Sequence, residues 1–175
     1  MPHIILERQF DGPMSPEAFK EMGLEHAACL KIYRVEWCES LLAEDGSRLI
    51  CRFESPDTES VRRIAERQGS TTSRIAWQGA VHDTGREGTA NVVVERRFDE
   101  PAAVEALQAI EDAGAWCLDL HKVTFLRTFC SGDHKRMICL YRAPDAESVR
   151  LAQTQAGMPL ERVWACRAFD LTAFM

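Results

Sequence analysis

The sequence predicts an α+β protein built from two tandem copies of one βαββαβ unit. Three observations carry this reading. An internal repeat runs through the chain without a gap. Each copy holds alternating strand-like runs on either side of a turn signal. Helix start and stop signals recur at equivalent places in both copies.

The repeat is found by laying Glu7-Arg8-Gln9-Phe10-Asp11 over Glu95-Arg96-Arg97-Phe98-Asp99, an offset of 88 residues. At that offset Cys29-Leu30 meets Cys117-Leu118, Ile50-Cys51 meets Ile138-Cys139, and Pro56-Asp57 meets Pro144-Asp145. Glu59-Ser60-Val61-Arg62 falls on Glu147-Ser148-Val149-Arg150, Gly69 on Gly157 and Arg74 on Arg162. About 24 of about 76 aligned positions are identical, which marks a duplication. The copies are expected at residues 1–83 and 91–175, joined by a polar, glycine-containing linker at 84–90.

Within each copy, Ile4 to Phe10 and Val92 to Phe98 are apolar and β-branched and read as first strands. Ser15-Pro16-Glu17 starts a helix, with a capping serine and proline at the first helical position. That helix runs to about Leu30 with Phe19, Met22, Ala27 and Leu30 on one face; Val104, Leu107, Ile110 and Ala115 take that part in the second copy. Tyr33 to Ala43 and His121 to Cys130 follow as strands, with Tyr33, Val35 and Trp37 alternating against Arg34, Glu36 and Cys38. Asp45-Gly46 and Ser131-Gly132-Asp133 are turns, leading to strands at Arg48 to Phe53 and Arg136 to Tyr141. Asp57 and Asp145 cap second helices that end at Gly69 and Gly157, and Ile75 to Val81 and Val163 to Phe169 are the last strands.

This element order is the ferredoxin-like βαββαβ pattern. A four-stranded sheet with both helices on one face leaves its other face bare, and residues such as Trp37 or Phe125 would be exposed there. The fold class expected is therefore two tandem ferredoxin-like domains with sheets packed face to face, an intramolecular pseudo-dimer of the dimeric α+β barrel kind.

Composition narrows the function. Hydrophobic residues are 46% and charged residues 27%, the balance of a globular domain. A net charge of -6 and a pI near 5.4 argue against nucleic-acid and anionic-membrane partners. No apolar run approaches the roughly 20 residues of a transmembrane helix, and Met1-Pro2-His3-Ile4 shows no signal-peptide pattern. The expected location is cytoplasmic. The seven cysteines, an odd number with no C-x-x-C, are expected to be reduced and mostly buried.

Each half resembles the small nickel-binding-like ferredoxin-fold proteins, a bacterial group whose members dimerise through their sheets. The resemblance rests on Ile5-Leu6-Glu7-Arg8 and Val93-Val94-Glu95-Arg96, on Trp37, on Ile50-Cys51 and Ile138-Cys139, and on the segment from Ser55-Pro56 through Val61-Arg62 to Gly69. It implies nickel or another divalent metal as a cofactor. The histidine that such proteins carry two residues after the tryptophan is Glu39 here, with Arg127 at the equivalent place. The histidine three residues after the helix valine is Ile64 or Ala152. Glu39 and Arg127, equivalent under the repeat, are expected to form an ion pair or to stand apart in solvent.

The candidate ligand-binding residues are Glu7, Trp37, Glu39, Glu95 and Arg127. By alternation Glu7 and Glu95 point away from Leu6 and Val94. If those two meet the helices, the carboxylates face the space between the sheets, as an acid–base pair, a cation site or structural partners of arginine. Cys51 and Cys139 read as core residues or soft-metal ligands. His26 and Cys29 lie three apart on a helix, but the second copy has Gly114 in place of the histidine. His3, His121 and His134 are isolated. Nucleophile-elbow, P-loop, dinucleotide and zincin motifs do not occur.

The expected function is a module that binds a small molecule or metal ion between the two sheets, as a monomer or homodimer. The alternatives are a cofactor-independent oxygenase, isomerase or cyclase using a cavity carboxylate as base, and a non-catalytic interaction protein. Differences between the copies at Glu39/Arg127, Tyr33/His121 and Trp77/Ala165 favour an asymmetric organic ligand.

Overall fold

Asp45 and Gly46 close the first hairpin. Gly46 adopts φ +71, and a Cβ there would stand 2.6 Å from the Met14 carbonyl oxygen. Asp45 accepts from the Ser47 backbone at 2.9 Å, the side-chain-to-backbone turn that aspartate favours. Local signals of this kind set the elements of a computed structural model that describes residues 1–67 and 73–171. The chain divides into two compact units. The first is Met1–Gly79 with Arg167–Met175, and the second is Ala80–Cys166.

The first unit contains β1 (His3–Gln9), α1 (Pro16–Ile32), β2 (Glu36–Ala43), β3 (Arg48–Glu54), α2 (Thr58–Glu66) and most of β4 (Ser73–Asp83). Its sheet runs β4-β1-β3-β2, with β1 antiparallel to both β3 and β4. That is the strand order of a ferredoxin-like βαββαβ unit. Ser15 caps α1 by accepting from Ala18 N at 3.1 Å, and Asp57 caps α2 by accepting from Ser60 N at 2.7 Å. The expected helix stop at Gly69 lies outside the described residues. The terminal segment that belongs to this unit lies beside β2, where Leu171 N donates to Cys38 O at 3.2 Å.

The second unit repeats the plan with β5 (Val92–Arg97), α3 (Val104–Ala113), α4 (Ala115–Leu120), β6 (Thr124–Ser131), β7 (Arg136–Arg142), α5 (Ala146–Gln155) and the first part of β8 (Arg162–Asp170). Its sheet runs β8-β5-β7-β6. Asp145 caps α5, and Gly157 follows that helix at φ +74. The start of the linker belongs here too, with Thr84 N donating to Leu126 O at 3.0 Å.

Three expectations are corrected. First, the second strand begins at Glu36 rather than Tyr33. Tyr33 caps α1, and Arg34, like its equivalent Lys122, takes positive φ to turn the chain. Second, the long helix of the second copy is broken in two at Gly114. The Gly114 position lies so near Ala156 that a Cβ there would be 2.5 Å from the alanine Cβ. The first copy has His26 at this place and an unbroken α1. Third, Trp37 and Phe125 do not lie on the bare face of their sheets but pack in the helix-side cores. A register shift between Trp37 and Glu39, repeated between Phe125 and Arg127, marks a β-bulge. The extra residue resets the alternation, so that Trp37 and Ser40 share the helix side.

The core of the first unit gathers Leu6, Phe19, Trp37, Phe53, Val61 and Ile64 under its helices. In the second unit, Val94, Leu118, Val123, Cys139, Tyr141 and Val149 do the same. Residues on the opposite sheet faces, among them Ile5, Ile50, Val93 and Ile138, are buried as well. Among the described residues, no helix is long and apolar enough to cross a membrane.

Candidate ligand-binding site

Strand alternation that sends Leu6 and Val94 to the helix side sends Arg8 and Arg96 there too. Both arginines are buried, at 2% and 1% exposure. A guanidinium keeps its charge at any accessible pH, so each must find partners where water does not reach. The two copies meet this demand differently.

In the first unit two of the contacts of Arg8 are with soft, apolar groups. Arg8 Nη1 lies 3.6 Å from the Met22 sulfur, and its guanidinium carbon stands 5.3 Å from the centre of the Phe10 ring. Beneath α1 is a cavity of about 150 Å³ lined by Lys20 and by apolar residues, among them Phe19, Leu24, Leu30, Trp37 and Leu171. Gly23 lets the tryptophan close against the helix, since a Cβ there would meet Trp37 Cζ3 at 3.3 Å.

In the second unit the same place is polar. Arg96 donates to Gln153 Oε1 at 2.6 Å, to the Tyr141 hydroxyl at 3.2 Å and to the Pro159 carbonyl. Phe53, Ala65 and Gly23 of the first copy have become Tyr141, Gln153 and Glu111. A cavity of about 140 Å³ beneath α3 is lined by Arg96, Glu111 and Tyr141 together with apolar residues, among them Leu107, Phe125 and Met158. Burial pushes the Glu111 carboxyl above its ordinary range, with Arg96 pulling it back. Burial likewise raises Tyr141, so its hydroxyl stays protonated. Two shielded polar atoms here have no hydrogen-bond partner: Oε1 of Glu111 and Nε of Arg96. That is a donor and an acceptor, both on residues lining one cavity.

Of the five residues singled out from sequence, Trp37 lines the first unit's cavity, and the other four are not among the residues lining either cavity. Glu7 accepts from Trp77 Nε1 at 2.6 Å, and Glu95 from Arg162 Nη1 at 2.7 Å, both on the sheet face away from the helices. Glu39, 7% exposed, accepts from Arg52 Nε at 2.7 Å. Arg127 is on β6 just past the bulge. Trp37 is core, edge-on to Phe19 with centroids 5.6 Å apart, and donates to Ser40 Oγ at 2.8 Å. Sequence reasoning passed over Arg96, Glu111, Tyr141 and Gln153. Their signal was present in the repeat, as apolar or small residues in one copy opposite polar ones in the other.

The remaining thiol and imidazole candidates are also placed. Ser40 Oγ donates to Cys51 Sγ at 2.9 Å, and burial pushes that thiol up to about 11, far from a reactive thiolate. Thr128 and Cys139 lie 3.1 Å apart in the same arrangement. His26 Nδ1 donates to Met22 O at 2.6 Å, and Cys29 faces Arg67 at 3.6 Å.

Among the described residues a divalent metal finds no fitting donor set. At the positions where the resemblance puts histidines, Glu39 is held by Arg52, and Ile64 and Ala152 are buried in the helices' apolar faces. Among the described residues no three His, Cys, Asp or Glu side chains converge as a metal site.

Comparison with known proteins extends these observations. The structure of SCO4226 from Streptomyces coelicolor A3(2) is 19% identical, covering 42% of this chain and 91% of that one, with a TM-score of 0.38. Chlorite dismutase from Candidatus Nitrospira defluvii, in complex with imidazole, is 10% identical over 98% of this chain and 92% of that one, with a TM-score of 0.56. The putative chlorite dismutase TA0507 is 9% identical over 98% and 97% of the two chains, at a TM-score of 0.53. The last two share the fold. No curated protein matches the sequence. The family described as "Nickel responsive protein SCO4226-like" matches residues 5–77 and again residues 93–165. The chain therefore belongs to the SCO4226-like family and carries two copies of its domain in tandem.

Proposed function

We propose that the protein is a small-ligand binding module and that its ligand occupies the cavity beneath α3 in the second unit. The observation that carries this reading is the meeting of Arg96, Glu111 and Tyr141 at one cavity whose walls also hold apolar residues such as Leu107, Phe125 and Met158. Binding sites combine an apolar cavity with a few convergent polar groups in this way. The volume, about 140 Å³, suits one ring, since an engineered apolar cavity of about 150 Å³ takes up benzene. The first unit's cavity has the size, with Lys20 as the charged residue in its lining.

The test is methionine-methyl NMR of the full chain titrated with single-ring probes such as toluene, phenol and benzamide. Met137 and Met158 line this cavity and report on it. Saturable shifts at these two methyls, with Met22 unmoved, are expected. Probes that leave both methyls in place at every concentration overturn the reading.

A second reading is a cofactor-independent enzyme. Glu111 favours it over Glu7 or Glu95, because a carboxyl raised by burial in an apolar pocket is the pattern of a general base. Turnover that a Glu111→Gln variant loses while still binding probes would establish it.

A further inference from the structure

Sulfur gathers around the second cavity. Cys130, Met137, Cys139 and Met158 all line it, whereas among the described residues lining the first unit's cavity there is no cysteine or methionine. Strand register brings three of them onto one patch. Cys130 on β6 stands directly opposite Met137 on β7, and Cys139 lies two residues further along β7, on the same helix-side face. Their equivalents in the first copy are Leu42, Leu49 and Cys51, so two leucine positions hold a thiol and a thioether here. Core packing does not ask for that exchange, since cysteine in place of leucine buries less apolar surface.

Thiolates and thioethers are soft donors, the kind that selects Cu(I). Diagonal neighbours on one sheet face have Cα atoms about 7–8 Å apart. A disulfide needs less than about 7 Å, so a bridging metal suits Cys130 and Cys139 better than a bond between them, and both are free thiols. Charge agrees with this. Cu(I) held by two thiolates carries one net negative charge, and the Arg96 guanidinium, hydrogen-bonded to Cys139, offsets it. Of the other titratable residues in the lining, Tyr141 and Glu111 are drawn towards their neutral forms by burial, and His82 is itself exposed. We infer that Cys130 and Cys139 bind one Cu(I) ion as thiolates, with Met137 beside them as a third sulfur donor. Each cysteine gives up its proton to solvent as its sulfur–copper bond forms. Thr128 Oγ1, 3.1 Å from Cys139 Sγ, orients that thiolate from behind. The copper site goes beyond the organic ligand proposed for the same cavity and does not depend on it.

The experiment is anaerobic competition for Cu(I) between the full chain and a coloured Cu(I) chelator, with methionine-methyl NMR on the same samples. One equivalent per chain is expected, with the Met137 methyl shifting and Met22 unmoved. Cys130→Leu, which restores the first copy's residue, should weaken uptake by more than the about 10–100-fold that losing an outer partner of a metal ligand costs. Cys139→Ser should do the same, with Cys139→Ala in its place if the serine variant does not fold. Cys29→Ser, at a half-buried thiol outside the cavity, should change nothing. No uptake from the chelator overturns the inference, as does uptake that survives Cys130→Leu or that Cys29→Ser abolishes. Zn(II) held by the same cysteines as tightly as Cu(I) overturns it too. The single-ring probes are titrated into the metal-free chain, so failure of the copper site and failure of the organic-ligand reading are told apart.

Discussion

Arg96 Nη2 donates to Gln153 Oε1 at 2.6 Å, and each of the two residues is only 1% exposed. In the first copy the equivalent pair is Arg8 and Ala65, with no such bond available. The duplicated domain thus kept its buried arginine and changed what surrounds it. Gln153→Ala should leave a charged donor without its acceptor and cost about 1.5–3 kcal/mol in urea unfolding. A loss under about 0.5 kcal/mol would mean that Tyr141 and Pro159 suffice for Arg96.

Gly114→Ala is expected to destabilise the second unit. The new methyl would sit 2.5 Å from the Ala156 Cβ and 3.1 Å from its Cα, so backbone has to move. Overpacking of this kind costs about 1–3 kcal/mol. Ala156→Gly in the same chain should restore part of the loss. A lone Gly114→Ala variant as stable as the parent would show that α3 and α5 can separate at no cost.

Trp37 divides a core role from a ligand role. Its ring packs on Phe19 and Phe53, and its Nε1–H is held by Ser40. Trp37→Ala should cost about 3–5 kcal/mol in global stability. Trp37→Phe, which installs the second copy's residue, should cost much less. If the alanine variant unfolds at the parent's midpoint, the tryptophan is not the core residue described here.

The pH dependence follows from Glu111. Its folded carboxyl is raised above the ordinary 4.5, first by burial, so the folded state holds the proton more tightly than the unfolded chain does. Stability linked to the protonated form is fully present below about 4.5 and is lost as pH rises through the folded value. Glu111→Gln mimics the protonated group. Its stability relative to the parent should be smallest near about pH 4 and grow towards about pH 8. Urea midpoints measured across that range check this, and a difference that stays flat with pH would refute it.

Much of the fold was legible because its signals are local or repeated. Ser15, Asp57 and Asp145 cap the helices they were expected to cap, and Gly157 follows α5 with positive φ. Alternation correctly put Glu7 and Glu95 on the face opposite Leu6 and Val94. The alternation of Tyr33, Val35 and Trp37 also held, since all three meet in one core, but the face given to Trp37 and Phe125 was wrong, because nothing in those strands says which side the helices cover. The break at Gly114 was also hidden, since a lone glycine is tolerated within a helix and Ala156 approaches from a distant element. Glu111 read as one more charge on a helix. Only packing turned it towards the cavity that Arg96 and Tyr141 share.

By itself the sequence determined the duplication, the order of elements in each copy and the membership of both halves in one family. Those depend on short-range chemistry and on comparison of the chain with itself, both readable in one dimension. The tertiary structure alone decided which polar residues meet. Arg96, Glu111, Tyr141 and Gln153 lie on four elements, and their shared site exists only once α3 and α5 pack on the helix side of the sheet. Burial then removes the water that would otherwise satisfy each group separately. What were four separate polar residues become one polar cluster beside a cavity.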